Sequence, residues 1–295
     1  MRQEYKWVLP RSVIELGKRT AIMGILNVTP DSFSDGGQYL EAEKAIARGK
    51  EIEQEGADII DIGGESSRPG SDAVPEHEEQ RRVLPVIEGL AKAVKIPISV
   101  DTYRASVAGR ALEAGAQVVN DISAFRFDSE MPAVVKTAGA GVVLMHSRGD
   151  RDTLHKQNRM VDPILEVMDG LAKAAEQARN AGIAPEAIVL DPGIGFGKAA
   201  EESLAVLKSL GGFSKIGYPL LVGTSRKSFI RLITFEVHEP SECKPGRAQP
   251  SKEEARSWGT AATVVVSIIN GAHVVRVHDV RQMRVLADVT DRLLD

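Results

Sequence analysis

Short runs of β-branched and apolar residues recur eight times along this chain, and most are followed by a stretch with helical spacing. The runs are Ala21 to Val28, Ile59 to Ile62, Ile98 to Val100, Val118 to Val119, Val142 to Met145, Ile188 to Leu190, Leu220 to Val222 and Val274 to Val277. Helical spacing follows in Ala42 to Glu55, Glu78 to Val94, Ala105 to Ala114, Ile164 to Ala181 and Glu201 to Leu210. Parallel strands need long crossovers, usually helices, so this alternation predicts a parallel sheet covered by helices. At ~150 residues per domain, 295 residues permit two domains. Eight repeats fit one closed (β/α)₈ TIM barrel better than two doubly wound sheets. The expected organisation is an N-terminal β-hairpin over 1–19, then a single barrel over 20–295. In the hairpin, Trp7 to Leu9 and Val13 to Leu16 flank Pro10 and plug the barrel bottom. Pro240, Pro245 and Pro250 predict a surface loop insertion over Glu236 to Arg256, ahead of a helix starting near Lys252.

Other classes are excluded by composition. Hydrophobic residues make up 43% and charged residues 26%, which is ordinary for a globular chain and unlike a disordered one. No run of ~18 apolar residues occurs, and Met1 to Lys6 lacks the apolar stretch of a signal peptide, so a soluble, unexported, cytoplasmic protein with no membrane partner is expected. Cys243 is the single cysteine, which rules out an intrachain disulfide and a thiolate zinc site; it is expected to be an ordinary exposed thiol. A net charge of -4 argues against nucleic acid as a partner.

In such a barrel the chemistry sits at the carboxyl ends of the strands. The apolar runs end in Asn27, Asp61, Asp101, Asn120 with Asp121, His146, Asp191, Thr224-Ser225-Arg226-Lys227-Ser228, and Arg276 with His278. Any one Asp or Asn can be a helix cap. A polar residue at every strand end is harder to explain that way, and Lys227 and Arg276 cannot be N-caps at all. Arg276 and His278 alternate with Val275 and Val277, so the polar pair faces the mouth, suited to an anion, while the valines pack on helices.

Glycine-rich loops follow the first two runs, Asn27 to Gly37 and Gly63 to Gly70. They are either plain turns or, on the top face, loops that cover a substrate. Asp191-Pro192-Gly193-Ile194-Gly195-Phe196-Gly197-Lys198 is no Walker A motif, because Ala199 follows the lysine. A dinucleotide site is also disfavoured, since no acid lies between Glu202 and Glu236 to bind a ribose. That stretch holds Lys208, Lys215, Arg226, Lys227 and Arg231, a locally basic region suited to anionic partners. No H-E-x-x-H pattern suggests zinc, whereas an oxygen ligand such as Asn27 suits Mg²⁺ bridging phosphates.

The run Gly24 to Gly37 resembles the first signature of the dihydropteroate synthases, a pterin-binding family, and Gly63 to Gly70 resembles the second. Asp191-Pro192-Gly193 through Lys198, Ser225-Arg226-Lys227-Ser228 and Arg276-Val277-His278-Asp279-Val280 match further family motifs in order. The resemblance implies a homodimeric, sulfonamide-sensitive barrel that joins 6-hydroxymethyl-7,8-dihydropterin diphosphate to 4-aminobenzoate, releasing pyrophosphate. It assigns the pterin ring to Asp101, Asn120, Asp191 and Lys227, and Mg²⁺ to Asn27. The diphosphate falls to Asn27, Arg68, Arg276 and His278, and 4-aminobenzoate to Phe33, Ser67, Arg68, Phe196 and Ser228. Asp35, Arg68, Lys227, Arg276 and His278 are the catalytic set, with Asp35 beside a cationic pterin intermediate.

Three departures stand out: Ser147-Arg148 after Met145-His146, Ile194 where the family often has an aromatic residue, and the long Glu236 to Arg256 loop. None removes a residue assigned to chemistry. A pterin-binding methyltransferase barrel would share the ring contacts but handles no diphosphate, so it would need neither the Ser-Arg-Lys-Ser segment nor the Arg-x-His pair. A paralogue that binds pterin without turnover should have lost loop or diphosphate residues, which are all present here.

Overall fold

The computed structural model describes residues 2–29, 38–66, 71, 73–154, 156–230, 232 and 251–294. Two short strands come first, β1 (Tyr5–Val8) and β2 (Val13–Leu16), paired antiparallel with Tyr5 opposite Leu16 and Val8 opposite Val13. The apolar runs then form β3 (Ala21–Asn27), β4 (Ile59–Gly63), β5 (Ile98–Asp101), β6 (Val118–Asp121), β7 (Gly141–Met145), β8 (Ile188–Asp191), β9 (Leu221–Val222) and β10 (Val274–Val277). Their order is β8-β7-β6-β5-β4-β3-β10-β9, each neighbour parallel, and a parallel bridge between Leu190 and Leu220 closes β8 onto β9. The result is the eight-stranded barrel that the alternation predicts.

The covering helices are α1 (Gln38–Gln54), α2 (Glu76–Ala91), α3 (Ala105–Ala114), α4 (Met131–Ala138), α5 (Pro163–Asn180), α6 (Ala200–Lys208), α7 (Lys252–Ile269) and α8 (Val280–Leu294). Helix α7 begins where expected because Ser251 caps it: its Oγ accepts from Glu254 N–H at 3.2 Å while the Glu254 carboxylate accepts from Ser251 N–H at 2.8 Å. Helix α4, between β6 and β7, and helix α8, after β10, are not among the stretches of helical spacing named above, and α4 is the shorter. Its eight residues span barely two turns and open with Pro132 at the first turn. Residues 236–250 of the expected surface loop, Cys243 included, lie outside the described residues, while its last residues, Lys252 to Arg256, are not loop but the start of α7, because the Ser251 cap starts the helix there. Among the described residues no helix is long and apolar enough to cross a membrane.

Strand alternation sorts the barrel into two cores. Ile22, Ile60, Val119, Val142, Ile188, Val275 and Val277 point outward into the larger cluster shared with the helices. Ala21, Met23, Ile59, Val118, Val143, Val189, Leu221 and Val274 point inward and pack with Trp7, Leu9 and Leu16 of the hairpin. Trp7 is fully buried there, and its indole N–H donates to the Ala187 carbonyl at 3.0 Å. The hairpin therefore fills the amino-terminal end of the barrel, and the same alternation carries the inward face on to the next layer.

Candidate active site

Two residues above Ile59, Val118, Val189 and Val274 on the same strands, the inward positions are Asp61, Asn120, Asp191 and Arg276. The period of two thus brings polar groups from strands far apart in sequence into one layer above the apolar floor. Strand register supports this: Asp101 is paired with Asn120, Met145 with Asp191 and Asn27 with Gly63. Arg276 links the layer. Its Nε donates to Asp61 Oδ2 and one Nη to Asp101 Oδ2, both at 2.6 Å, although Asp61 and Arg276 are 215 residues apart. Asn120 Nδ2 also donates to Asp61 Oδ2 at 3.0 Å, while Asp61 Oδ1 is buried without a hydrogen-bond partner.

Burial opposes the arginine's charge, yet Asp61 and Asp101 outweigh it and hold Arg276 protonated well above its ordinary range. Burial pushes the Asp101 carboxyl up to about 7 against the pull of Arg276, and it raises Asp191 against the pull of Lys227. Asp191 Oδ1 accepts from the Gly193 N–H at 2.7 Å. This layer offers a planar ligand carboxylate and amide oxygens along one edge.

The loop after β8 supplies the other side. Lys227 Nζ donates to the Ile194 carbonyl at 2.5 Å and lies 3.8 Å from the centroid of the Phe196 ring. Burial lowers its pKa to about 7, with Asp191 opposing. Gly193, at φ +64, passes so close to the β7 end that a Cβ would stand 2.0 Å from the His146 carbonyl oxygen, so only glycine fits. Lys198 then pins the loop from beneath, donating to the carbonyls of His146 (3.0 Å), Gly193 (2.9 Å) and Phe196 (3.2 Å). Ile194 is buried, and its contact to Lys227 is made by its backbone oxygen, which a residue of any type at this position carries.

At the β9 and β10 ends, His278 Nδ1 lies 2.9 Å from Ser225 Oγ, and Ser225 Oγ also accepts the His278 backbone N–H at 3.2 Å. Arg226, at φ 59, turns outward to Asp279 at 2.6 Å, which leaves Lys227 facing inward. Ser228 is exposed at the start of a helical stretch. Asn27 Oδ1 and Asp101 Oδ2 both come within 4 Å of where a Cβ on Gly63 would sit, placing Asn27 at the mouth. Phe33, Asp35, Ser67 and Arg68 lie outside the described residues.

Two groups carry more than strand-end reasoning assigns them. Asp61 is a terminal polar residue with no role of its own in the sequence reading, yet it receives both Arg276 and Asn120. Its lone charge within Ile59-Ile60-Asp61-Ile62 was the available signal. Lys198 closes the glycine motif in sequence and holds that motif in place in the fold.

The model of the pterin binding enzyme family matches residues 23–278. The dihydropteroate synthase of Synechocystis is 45% identical over 283 residues, covering 96% of this chain and 93% of that one. A Xanthomonas albilineans dihydropteroate synthase solved with 4-aminobenzoic acid superposes with a TM-score of 0.86 at 37% identity, covering 99% of each chain. The same enzyme in complex with 7,8-dihydropteroate gives 0.80 at 36%, covering 95% of this chain and 96% of that one. With its motifs carried on a matching barrel over nearly its whole length, the chain belongs to the pterin-binding enzymes and, among them, to the dihydropteroate synthases.

Proposed function

We propose that the polar layer above the barrel floor, together with the loops around it, divides the condensation of 6-hydroxymethyl-7,8-dihydropterin diphosphate with 4-aminobenzoate among named residues. The observation that carries this reading is the inward set Asp61, Asp101, Asn120 and Asp191, joined by Arg276 and faced by Lys227. A pterin presents an amino group and ring N–H donors on one edge, which Asp101, Asn120 and Asp191 accept or pair. Lys227 donates to the ring carbonyl. Arg276 has one Nη left uncommitted among its described hydrogen bonds, and with His278 it holds the diphosphate.

Magnesium fits this site. Asn27 Oδ1 and Asp101 Oδ2 both lie within 4 Å of the position a Cβ on Gly63 would take, which puts oxygen donors together at the mouth, and Mg²⁺ typically takes only one or two protein oxygens plus substrate phosphates and water. Asn27 would hold it, and the bound ion would neutralise charge on the departing pyrophosphate. Arg276, His278 and Arg68 stabilise the same charge from the protein side, so the C–O bond breaks ahead of attack. Asp35 steadies the resulting pterin cation. The aryl amine of 4-aminobenzoate is already neutral at pH 7 and attacks without a strong base, its ring held by Phe33 and Phe196 and its carboxylate by Ser67, Arg68 and Ser228.

The same reading makes the protein a cytoplasmic homodimer. Trp258, Val266 and Ile269 on α7 and Val285, Val289 and Leu293 on α8 are exposed apolar residues on neighbouring helices, suited to a second copy. Sedimentation giving a monomer would refute that part. For the reaction, purified protein with both substrates and Mg²⁺ should yield dihydropteroate by mass detection, and nothing when either substrate is withheld. Undiminished turnover in excess chelator would remove the metal from the scheme.

A further inference from the structure

Lys198 is buried directly before α6, and its three hydrogen bonds among the described residues all go to backbone carbonyls, those of His146, Gly193 and Phe196. A buried ammonium held by carbonyls rather than a carboxylate is an unfavourable choice for stability. Burial pushes its pKa down to about 7, with Asp191 opposing. An apolar chain of the same length would suit the space better, so the reason for the lysine lies in what its donors hold.

The two ends of the loop it serves are fixed differently. Gly193 is secured at several points. Its N–H donates to Asp191 Oδ1 at 2.7 Å, its carbonyl accepts the Phe196 N–H at 3.0 Å, and it lies so close to the His146 carbonyl that no Cβ fits between. Three residues on, Phe196 is half-buried with its ring 3.8 Å from Lys227 Nζ, and Lys198 Nζ donates to its carbonyl at 3.2 Å. The lysine's own place is set by α6, whose Glu202 carboxylate accepts the Ala199 N–H at 2.7 Å and whose Ser203 Oγ accepts the Gly195 N–H at 3.2 Å. The ammonium thus ties the end of β7, the start of the loop and the ring-bearing residue to one point.

We propose that Lys198, acting through Phe196, is a positioning residue that holds the aromatic ring as a platform for 4-aminobenzoate. This rests on the reading above, in which Phe196 holds the aryl ring of that substrate. The pterin side is set separately, by Asp191 and the Gly193 N–H, so loss of the ammonium tells on the second substrate and spares the first.

A double-mutant cycle between Lys198→Met and Phe196→Ala tests this, with calorimetric pterin binding measured alongside. Lys198→Met keeps the length of the side chain and removes its donors. It should lower kcat/KM for 4-aminobenzoate about tenfold while leaving pterin Kd within about threefold, since a displaced platform costs rate without touching a site it does not line. In the Phe196→Ala background the same change should cost less than about twofold, because residues acting through one another are non-additive. Lys198→Gln, which retains a donor on a shorter stem, should fall between parent and methionine, and it carries the same cycle if the methionine variant fails to fold. Multiplicative losses, unchanged kinetics in Lys198→Met, or an equal loss of pterin affinity would each overturn the inference. Parent-like kinetics in Phe196→Ala would instead overturn the reading of the ring itself, and the inference with it.

Discussion

The two ends of this barrel are made from the same strands and obey opposite rules. At the amino end of β4, β6, β8 and β10 the inward residues are Ile59, Val118, Val189 and Val274, sealed by Trp7 with its indole N–H satisfied. Two residues further on, the inward face is carboxylates, an amide and an arginine, and it leaves Asp61 Oδ1 buried without a partner. Burial there raises Asp191 and lowers Lys227, so the mouth holds groups in states that cost the fold stability. Polar groups concentrated at one end of a well-packed scaffold are a mark of function, because stability alone would favour apolar residues at both.

The largest effect expected from breaking this contrast is at the bottom. Trp7→Ala empties a fully buried ring and orphans the Ala187 carbonyl, at a cost of about 3–5 kcal/mol. Urea unfolding should register that loss, while kcat/KM of the folded protein stays at the parent value. A fall in kcat/KM comparable to a mouth mutation would show that the ends are not separable.

Acid tests the same end. His273 Nδ1 accepts from Leu220 N–H at 3.0 Å and Nε2 donates to the Gln3 carbonyl at 3.0 Å, so the neutral ring is built into the bottom. Burial depresses its pKa to about 4, and the nearby Arg2 pushes the same way. The unfolded chain binds this proton near pH 6.5 and the native one only near 4. Stability is thus complete above pH 6.5 and declines as pH falls toward 4, by about 3 kcal/mol from this ring. His273→Gln should flatten the decline between pH 7 and 4.5 in denaturant titrations. An equally steep slope in the variant would reassign the acid sensitivity, with His146, also depressed by burial, the next ring to replace.

For Asp35 and Arg68, proposed above to act from the two glycine-rich loops, the expected order reverses, with rate lost and stability kept. Asp35→Ala and Arg68→Ala should each lower turnover roughly 100-fold with little change in unfolding free energy or pterin affinity. A cation left open to water partitions to hydrolysis, so both variants should raise the ratio of hydroxymethyl-dihydropterin to dihydropteroate. Parent product ratios in both would make these segments ordinary turns.

Much of this contrast was legible in the chain. β-branched runs at regular spacing specify the barrel, and the polar residue ending each run marks the mouth. Judged by apolar content alone, though, β5, β6 and β8 end too early: each continues through Asp101, Asp121 or Asp191, because strand geometry persists where the inward side chain changes from apolar to polar. Pairing across the barrel was hidden for a different reason. Arg276 meets Asp61 because β10 and β4 both flank β3, a closure that no local pattern encodes. The partnership of Glu65 with Arg151, across 86 positions, and the neutral His273 in the bottom are invisible for the same cause.

The smallest effect is the one that best separates the two ends, because a single substitution should move them in opposite directions. Asp191 is 5% exposed, and its Oδ1 is occupied by the Gly193 N–H, which leaves Oδ2 as the acceptor in the pterin contact proposed above. Asp191→Asn keeps the shape and the contact to Gly193 but puts a donor in place of Oδ2, facing ring donors. The unpaired pterin N–H groups should weaken binding by about 1–3 kcal/mol, or roughly 5- to 150-fold in Kd by calorimetry. Folding should respond with the other sign. A carboxylate whose pKa is raised by burial is less comfortable ionised in the native state than in the unfolded one, so at pH 7 its charge opposes folding. The neutral amide relieves that opposition, and the Asp191→Asn variant should unfold at equal or higher urea concentration than the parent. Destabilisation with unchanged pterin affinity would place Asp191 among the structural residues and move the boundary between the two ends of the barrel above it.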